Sequence, residues 1–266
     1  MTFGLLGSAT FGCLLLLVRG TVDNDRRLTS IDVLSPVPTL AIVLAFIVLI
    51  FSLAHPTSAI LALHEAQPAL FGVCALLLLA LGVAAAYYAI SALAGKVKSP
   101  MRSALFLVMG VAGIAFVLLA SLMHSLASVA SWSGLLVFAA IMGTSVVAGI
   151  SLSSAMIESA ELPLSSHRRT VVTIASLIGL VVGGVGFVCQ VVRSTEWFAG
   201  ISLGSCFVEA VSTNVTVGLF CLVASALFCV LGVRSKDKGY YSVISVASSI
   251  VALFCLFIVL YTAVPW

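Results

Sequence analysis

The sequence predicts an all-α polytopic membrane protein, built as one bundle of eight transmembrane helices. Hydrophobic residues make up 62% of the 266 residues and charged residues only 8%, whereas about a quarter of the residues of a soluble domain are charged. Eight apolar runs have lengths close to the ~20 residues that cross a bilayer. The connections between them are too short to form a second domain, so we expect residues 1–266 to be a single transmembrane domain.

The eight predicted helices follow one another along nearly the whole chain. They span residues about 2–18, 37–54, 69–94, 103–123, 133–157, 170–192, 209–233 and 241–264. The first run is followed, not preceded, by basic residues, which is the wrong polarity for a cleaved signal peptide. We therefore interpret it as a membrane helix.

The second run is expected to end near His55, because Pro56 disfavours helical geometry at the residue before it. Thr57 or Ser58 can then cap a short apolar helix. Such a helix would lie in the membrane interface, and it would leave the His55 imidazole at the boundary between lipid and water.

The sixth run contains a series of glycines at helical spacing, Gly179, Gly183, Gly184 and Gly186. Small residues four positions apart allow two helix backbones to approach closely in lipid. The series therefore predicts a tight helix–helix contact. A nucleotide-binding glycine loop would need a preceding strand and a soluble setting, and this sequence provides neither.

Basic residues identify which ends of the helices face the cytoplasm. Eleven of the twelve Lys and Arg residues fall in the first, third, fifth and seventh connections, and Arg193 is the exception. The positive-inside rule places these connections in the cytoplasm and both termini outside. The acidic residues of these connections are interpreted as solvated charges with no role beyond topology: Asp23, Asp25, Asp32, Glu158, Glu161 and Asp237.

Several function classes are disfavoured by what the helices contain. No ionisable residue lies near the middle of any run, which argues against an ion-coupled pump or transporter. The four histidines lie at run ends or in connections, so no pair is placed to ligate a haem within the membrane. The seven cysteines form no C-x-x-C pair, so neither an iron–sulfur cluster nor a metal site is expected in this chain. A nucleic acid is also not expected as a partner.

Polar side chains collect instead at the predicted outer ends of the helices. His55 is the first candidate catalytic residue, because an interfacial histidine can take up a proton near neutral pH and release it outside. His64, Glu65, Gln190 and Asn214 are candidate pocket residues. Each could equally satisfy a helix end, and His55 could merely cap its helix or bind a lipid headgroup.

Three segments resemble the membrane-anchor subunit of the dimethyl sulfoxide reductase family (DmsC-like), an eight-helix protein with both termini outside. The sequence Ser-Leu-Ala-His at 52–55, followed by a short apolar segment, is similar to the family's S-x-L-H-L-G-S-P. Trp132, Phe138, Met142-Gly143 and Gly149 resemble its aromatic and glycine-rich fifth helix. The sequence Val-Cys-Gln at 188–190 resembles a V-M-Q in its sixth helix.

The resemblance implies an anchor that holds a molybdopterin catalytic subunit and an iron–sulfur subunit on the outer face. In that family menaquinol is oxidised near this face at the histidine that matches His55, and this chain would contain no redox centre of its own. The Gly and Arg that follow the family's histidine are absent here, and its helix-three acid falls near Cys74 and Ala75. Glu65 could supply that carboxylate from another position.

Two other functions fit the composition. A small-molecule permease would bind its substrate near the membrane midplane, at broken helices between repeated halves, but the sequence shows no convincing internal repeat. A purely structural anchor would hold the same partners without a quinone site.

Overall fold

The computed structural model describes residues 2–18, 25–54, 68–97, 99–126, 133–162, 164–235 and 239–262. These residues form helices joined by short turns, with no strand among them. The helices are α1 (Thr2–Val18), α2 (Asp25–Leu34), α3 (Pro36–Ala54), α4 (Pro68–Leu93), α5 (Ser99–Leu126), α6 (Gly134–Ser159), α7 (Ser166–Gly200), α8 (Gly204–Arg234) and α9 (Gly239–Thr262). The predicted all-α class is confirmed.

The eight predicted runs correspond to α1 and α3–α9. Seven regions of the described chain have the length and hydropathy of a membrane-spanning helix, and α1 is a shorter apolar helix of 17 residues, so the predicted count of eight is approximate. Helix α7 is much longer than its predicted run of 170–192. Its 35 residues extend roughly 52 Å at 1.5 Å per residue, which exceeds the ~30 Å hydrocarbon core of a bilayer.

The short helix α2 lies in a segment that the sequence analysis treated as a connection. It ends at Leu34, and Ser35 forms a turn in which its backbone N–H donates to the Asp32 carbonyl oxygen at 3.1 Å. Pro36 then begins α3, a position where the missing N–H of proline costs no helical hydrogen bond. The break between α2 and α3 therefore follows from local sequence.

Consecutive membrane helices pack side by side and run antiparallel, as short connections require. One end of the bundle holds the C-terminal ends of α1, α4, α6 and α8 and the residues that begin α5, α7 and α9. We call this the basic end, because its connections contain the basic residues. The other end, which we call the opposite end, holds both termini of the described chain, Thr2 and Thr262.

Helix α6 is the central element and packs against α1, α5, α7, α8 and α9. Its contact with α7 is made backbone to backbone: a Cβ atom added at Gly143 would lie 2.2 Å from the backbone nitrogen of Gly183. A Cβ at Gly186 would lie 2.6 Å from the nitrogen of Ala140. The predicted packing role is thus confirmed for Gly179, Gly183 and Gly186, whereas a Cβ at Gly184 would meet no atom within 4 Å.

Candidate functional site

Three of the five predicted site residues, His55, His64 and Glu65, lie outside the described residues. The segment that contains them joins α3 to α4, and the described helix ends on either side of it belong to the opposite end of the bundle. The short interfacial helix predicted after His55 falls in the same segment. The other two predicted residues, Gln190 and Asn214, lie on α7 and α8.

Gln190 is buried between α6 and α7 and joins the two helices. Its side chain is 1% exposed, its Oε1 accepts a hydrogen bond from the backbone N–H of Ser133 at 3.0 Å, and its Nε2 donates to Ser194 Oγ at 3.0 Å. Ser133 occupies the N-cap position of α6, and its side chain makes no capping hydrogen bond. Gln190 therefore positions the start of α6 at the opposite end.

Asn214 lies at about the same depth as Gln190. On α8 it falls on one stripe with the buried residues Val211 and Gly218, three and four positions away. A Cβ added at Gly218 would lie 3.3 Å from the Phe187 ring of α7. Gln190 follows Phe187 by about one turn of α7 toward the opposite end, and the half-buried Asn214 lies about one turn of α8 from Gly218 in the same direction. Gln190 and Asn214 are therefore at the same level of the bundle.

An aromatic cluster closes the α7–α8 hairpin beyond this level. The Phe198 ring stacks on Phe207 with centroids 4.7 Å apart, and Trp197 meets Phe198 edge to face at 4.9 Å. The backbone N–H of Leu203 donates to the Phe198 carbonyl oxygen at 2.8 Å, and Ser202 adopts a left-handed φ of 63° in the turn. These contacts close the hairpin about ten residues beyond Gln190 along α7.

A buried ionic cluster at the basic end was not predicted. Asp32 and Arg102 are 4% and 5% exposed, and Tyr88 is fully buried. Arg102 Nη2 donates to Asp32 Oδ2 at 2.6 Å and Arg102 Nε donates to Oδ1 at 2.9 Å, so the guanidinium holds both carboxylate oxygens. Tyr88 Oη donates to Oδ1 at 2.5 Å. The cluster ties α2 to α4 and α5.

This cluster corrects two sequence interpretations. Asp32 was interpreted as a solvated charge and is instead a buried carboxylate with three hydrogen-bond donors. Arg102 was counted as a connection residue and lies in the first turn of α5, facing inward. The partners are 56 and 70 residues apart in the chain, and no local pattern links them. The only sequence signal is that Arg102 directly precedes an apolar run.

A small polar cavity lies between α6, α7, α8 and α9 at the basic end. It has a volume of about 30 Å³, enough for one or two water molecules. Its inner wall is formed by hydroxyls: Ser245 Oγ lies 2.8 Å from both Ser151 Oγ and the Ser225 carbonyl oxygen, and Ser151 Oγ lies 3.1 Å from Ser225 Oγ. Cys229 Sγ lies 3.7 Å from Ser176 Oγ. These contacts link all four helices.

Glu158 lies in the wall of this cavity, where the sequence analysis expected a solvated surface charge. Its Oε2 accepts a hydrogen bond from Ser242 Oγ. Its Oε1 is buried and has no hydrogen-bond partner among the described residues, and Arg169 lines the same cavity. A buried acceptor of this kind is satisfied by ordered water, so the cavity can hold water next to an acid at the basic end.

Comparisons with known protein families, with curated proteins and with solved structures give no match. Within the described part of the chain, no three His, Cys, Asp or Glu side chains form a group that could hold a metal ion. A functional interpretation therefore depends on the polar side chains at the two ends of the bundle.

Proposed function

We propose that this chain is the membrane-anchor subunit of a molybdopterin oxidoreductase complex of the dimethyl sulfoxide reductase type in a bacterial plasma membrane. In this proposal it oxidises menaquinol near the outer face and passes the electrons to an iron–sulfur partner subunit. The basic end faces the cytoplasm. The opposite end faces outward and binds the iron–sulfur and molybdopterin subunits.

The observation that supports this proposal most directly is the buried amide of Gln190 at the opposite end. Gln190 matches the family's V-M-Q segment. Helix α3 ends at the same end of the bundle with Ala54, immediately before His55. Two of the three segments that carry the family resemblance, 188–190 and the described residues 52–54, therefore belong to one end of one bundle, which is what a quinol site built from both of them requires.

The chemistry divides between the subunits. Oxidation of one quinol to quinone releases two electrons and two protons. The iron–sulfur clusters expected in the partner subunit would accept the electrons. His55 accepts a hydroxyl proton as general base and releases it to the outer medium, and Glu65 or His64 accepts the second, while Gln190 and Asn214 shape the pocket.

A His55→Ala variant tests the central assignment in the complex purified from its own membrane. Removal of a general base lowers the rate by about 10²–10⁴-fold. We therefore expect turnover with a menaquinol analogue to fall by at least about 10²-fold. Turnover with a reduced viologen, which delivers electrons directly to the partner clusters, should stay unchanged. His167→Ala is the matched control, because His167 is an exposed histidine at the basic end.

The alternatives give different results. Full quinol-dependent turnover in the His55→Ala complex would contradict a quinol site at this histidine. A purified complex that contains no bound quinone would instead indicate a purely structural anchor. A chain that purifies without partner subunits and transports a solute in vesicles would instead identify a permease.

A further inference from the structure

An open groove runs between α6 and α9 and starts at the basic end of the bundle. We call it the α6–α9 groove. It has a volume of about 640 Å³, which is within the range of ~300–1,000 Å³ found for sites that hold small molecules. Val243 and Ala247 of α9 are exposed where they line it, whereas Leu152 of α6 is buried. The groove is therefore open to the surrounding lipid.

The α6–α9 groove is polar at its outer end and apolar along the rest of its length. The lining residues at the outer end are Glu158, Ser159, Glu161, Gly239 and Ser242, and all the other lining residues are apolar. The innermost lining residue of α9, Ile250, follows Gly239 by eleven positions, which is roughly 16 Å at 1.5 Å per residue. Half of a hydrocarbon core ~30 Å thick is about 15 Å. The groove therefore has the polarity and the length of one lipid leaflet.

The outer end of the groove is negatively charged. Glu158 and the exposed Glu161 line it, and no Lys, Arg or His is among the described residues that do so. The last turn of α6 contains no basic residue, although the C-terminal end of a helix carries a partial negative charge that favours cations. Arg169 lines the neighbouring polar cavity and does not line the groove. The outer end of the groove therefore favours a positively charged group.

We infer that the α6–α9 groove binds phosphatidylethanolamine, with the primary ammonium group of the headgroup beside Glu161 and Glu158 and one acyl chain along α9. A primary ammonium has three N–H donors, as lysine does, and it forms charge-assisted hydrogen bonds with carboxylates. The trimethylammonium group of phosphatidylcholine has the same charge and no N–H donor.

The charge of the groove also distinguishes it from the rest of the basic end. Clusters of Lys and Arg at a membrane surface attract anionic lipids, and the connections at this end are basic. The two carboxylates of the groove repel an anionic headgroup and attract the ammonium group of a zwitterionic one. The groove therefore selects a different lipid from the one that the connections attract.

Native mass spectrometry of the full-length chain, with the subunits that copurify, tests the inference. The delipidated protein is titrated with phosphatidylethanolamine, its N-methyl and N,N-dimethyl derivatives, phosphatidylcholine and phosphatidylglycerol, all with the same acyl chains. We expect the tightest site to bind phosphatidylethanolamine about tenfold more tightly than phosphatidylcholine, because the charge-assisted hydrogen bonds are lost. The methylated derivatives should be intermediate and phosphatidylglycerol weakest. Equal affinities for phosphatidylethanolamine and phosphatidylcholine would overturn the inference.

Glu161→Gly removes the exposed carboxylate without straining the fold. Glu161 has a φ of 53°, a left-handed conformation that glycine adopts more readily at the end of a helix. We expect the preference for phosphatidylethanolamine over phosphatidylcholine to fall from about tenfold to about twofold or less, and Glu161→Gln should have the same effect. A tenfold preference that survives both substitutions would contradict the role of this carboxylate.

Glu196→Gln is the matched control, because Glu196 is an exposed acid of α7 at the opposite end of the bundle. It should keep the preference of the wild type. Loss of the preference in this variant as well would show that net charge, and not the groove, sets the lipid selectivity.

The location of the site is tested by filling the groove. Ala247→Trp places a large side chain in it and should abolish the preference for phosphatidylethanolamine. Leu227→Trp is the control, because Leu227 is exposed on α8 at a similar depth and does not line the groove. A preference that Ala247→Trp leaves intact would place the tight site elsewhere and overturn the inference.

The inference does not depend on the proposed function. The α6–α9 groove starts at the basic end, whereas the described helix ends that flank the His55 segment belong to the opposite end. We therefore expect the His55→Ala complex to keep the preference for phosphatidylethanolamine.

Discussion

The two halves of the bundle, α1–α5 and α6–α9, hold their basic ends together by different chemistry. In the first half a carboxylate, a guanidinium and a phenol join α2, α4 and α5 through Asp32, Arg102 and Tyr88. In the second half neutral hydroxyls join α6, α8 and α9 at this end, with Ser245 against Ser151 and Ser225. The halves differ in these polar groups and not in close packing, since a Cβ added at Gly113 in the first half or at Gly143 in the second would overlap the backbone of a neighbouring helix.

The two halves therefore offset the desolvation cost of buried polar groups in two different ways. A buried ion pair is stable only when both charges and their hydrogen bonds are satisfied, and the guanidinium and phenol supply those donors to Asp32. Neutral hydroxyls carry a smaller desolvation cost, and the second half has a cavity beside Glu158 that is large enough for water. The charged group described in the first half is fully paired, whereas the second half keeps a polar space at its basic end.

The largest expected effect comes from breaking the ionic cluster. Arg102→Met leaves the Asp32 carboxylate buried without its partner, and removal of one member of a buried pair costs about 3–5 kcal/mol. We expect the free energy of unfolding, measured by SDS titration in mixed micelles, to fall by that amount. The double variant Asp32→Asn with Arg102→Met removes the unpaired charge and should recover most of the loss.

Arg234→Met is the control for this substitution, because Arg234 is an exposed arginine at the same end of the bundle. Its effect should stay within about 0.5 kcal/mol. A cost for Arg102→Met no larger than for Arg234→Met would show that the cluster does not stabilise the first half.

A smaller effect is expected from the glycine contact of the second half. Gly143→Ala places a Cβ 2.2 Å from the Gly183 nitrogen, and overpacking of a core costs about 1–3 kcal/mol. Gly184→Ala meets no atom and should leave the free energy of unfolding unchanged or raise it by up to ~1 kcal/mol, because alanine favours the helix. The two substitutions therefore compare a glycine inside the α6–α7 contact with a glycine of α7 that faces open space. Equal effects of the two substitutions in the same titration would contradict the observed packing.

The smallest effect is expected at the hydroxyl cluster. Ser245→Ala removes the hydrogen bonds to Ser151 and Ser225, and hydrogen bonds between membrane helices contribute about 0.6 kcal/mol on average. We expect a loss of that order in the same titration, and none for Ser212→Ala, an exposed serine on α8. If Ser245→Ala lowered the free energy of unfolding as much as Arg102→Met, the polar contacts within each half would contribute equally to stability.

Much of the architecture could be predicted because its causes are local. Runs such as 69–94 and 133–157 identify α4 and α6 to within a few residues, since helices in lipid must satisfy their own backbone. The glycine spacing of α7 predicted a close contact but not its partner on α6, and Gly184 belongs to the same spacing yet faces open space. The identity of a contact depends on how a helix is rotated about its axis, which the spacing of small residues alone does not define.

The candidate site was predicted less completely. Gln190 was selected as a polar residue at a helix end, and the structure adds that its amide positions Ser133. The Asp32 cluster was not foreseen, because it depends on side chains brought together from three helices.

The amino-acid order by itself determined the membrane class and the approximate helix spans. Hydrophobicity and length act along one segment at a time, and they need no knowledge of its neighbours. Only the tertiary structure decided that Asp32 is buried and that α6 is central. Those properties arise from the relative rotation and depth of several helices, and in lipid these are set by packing between surfaces that are distant in the chain.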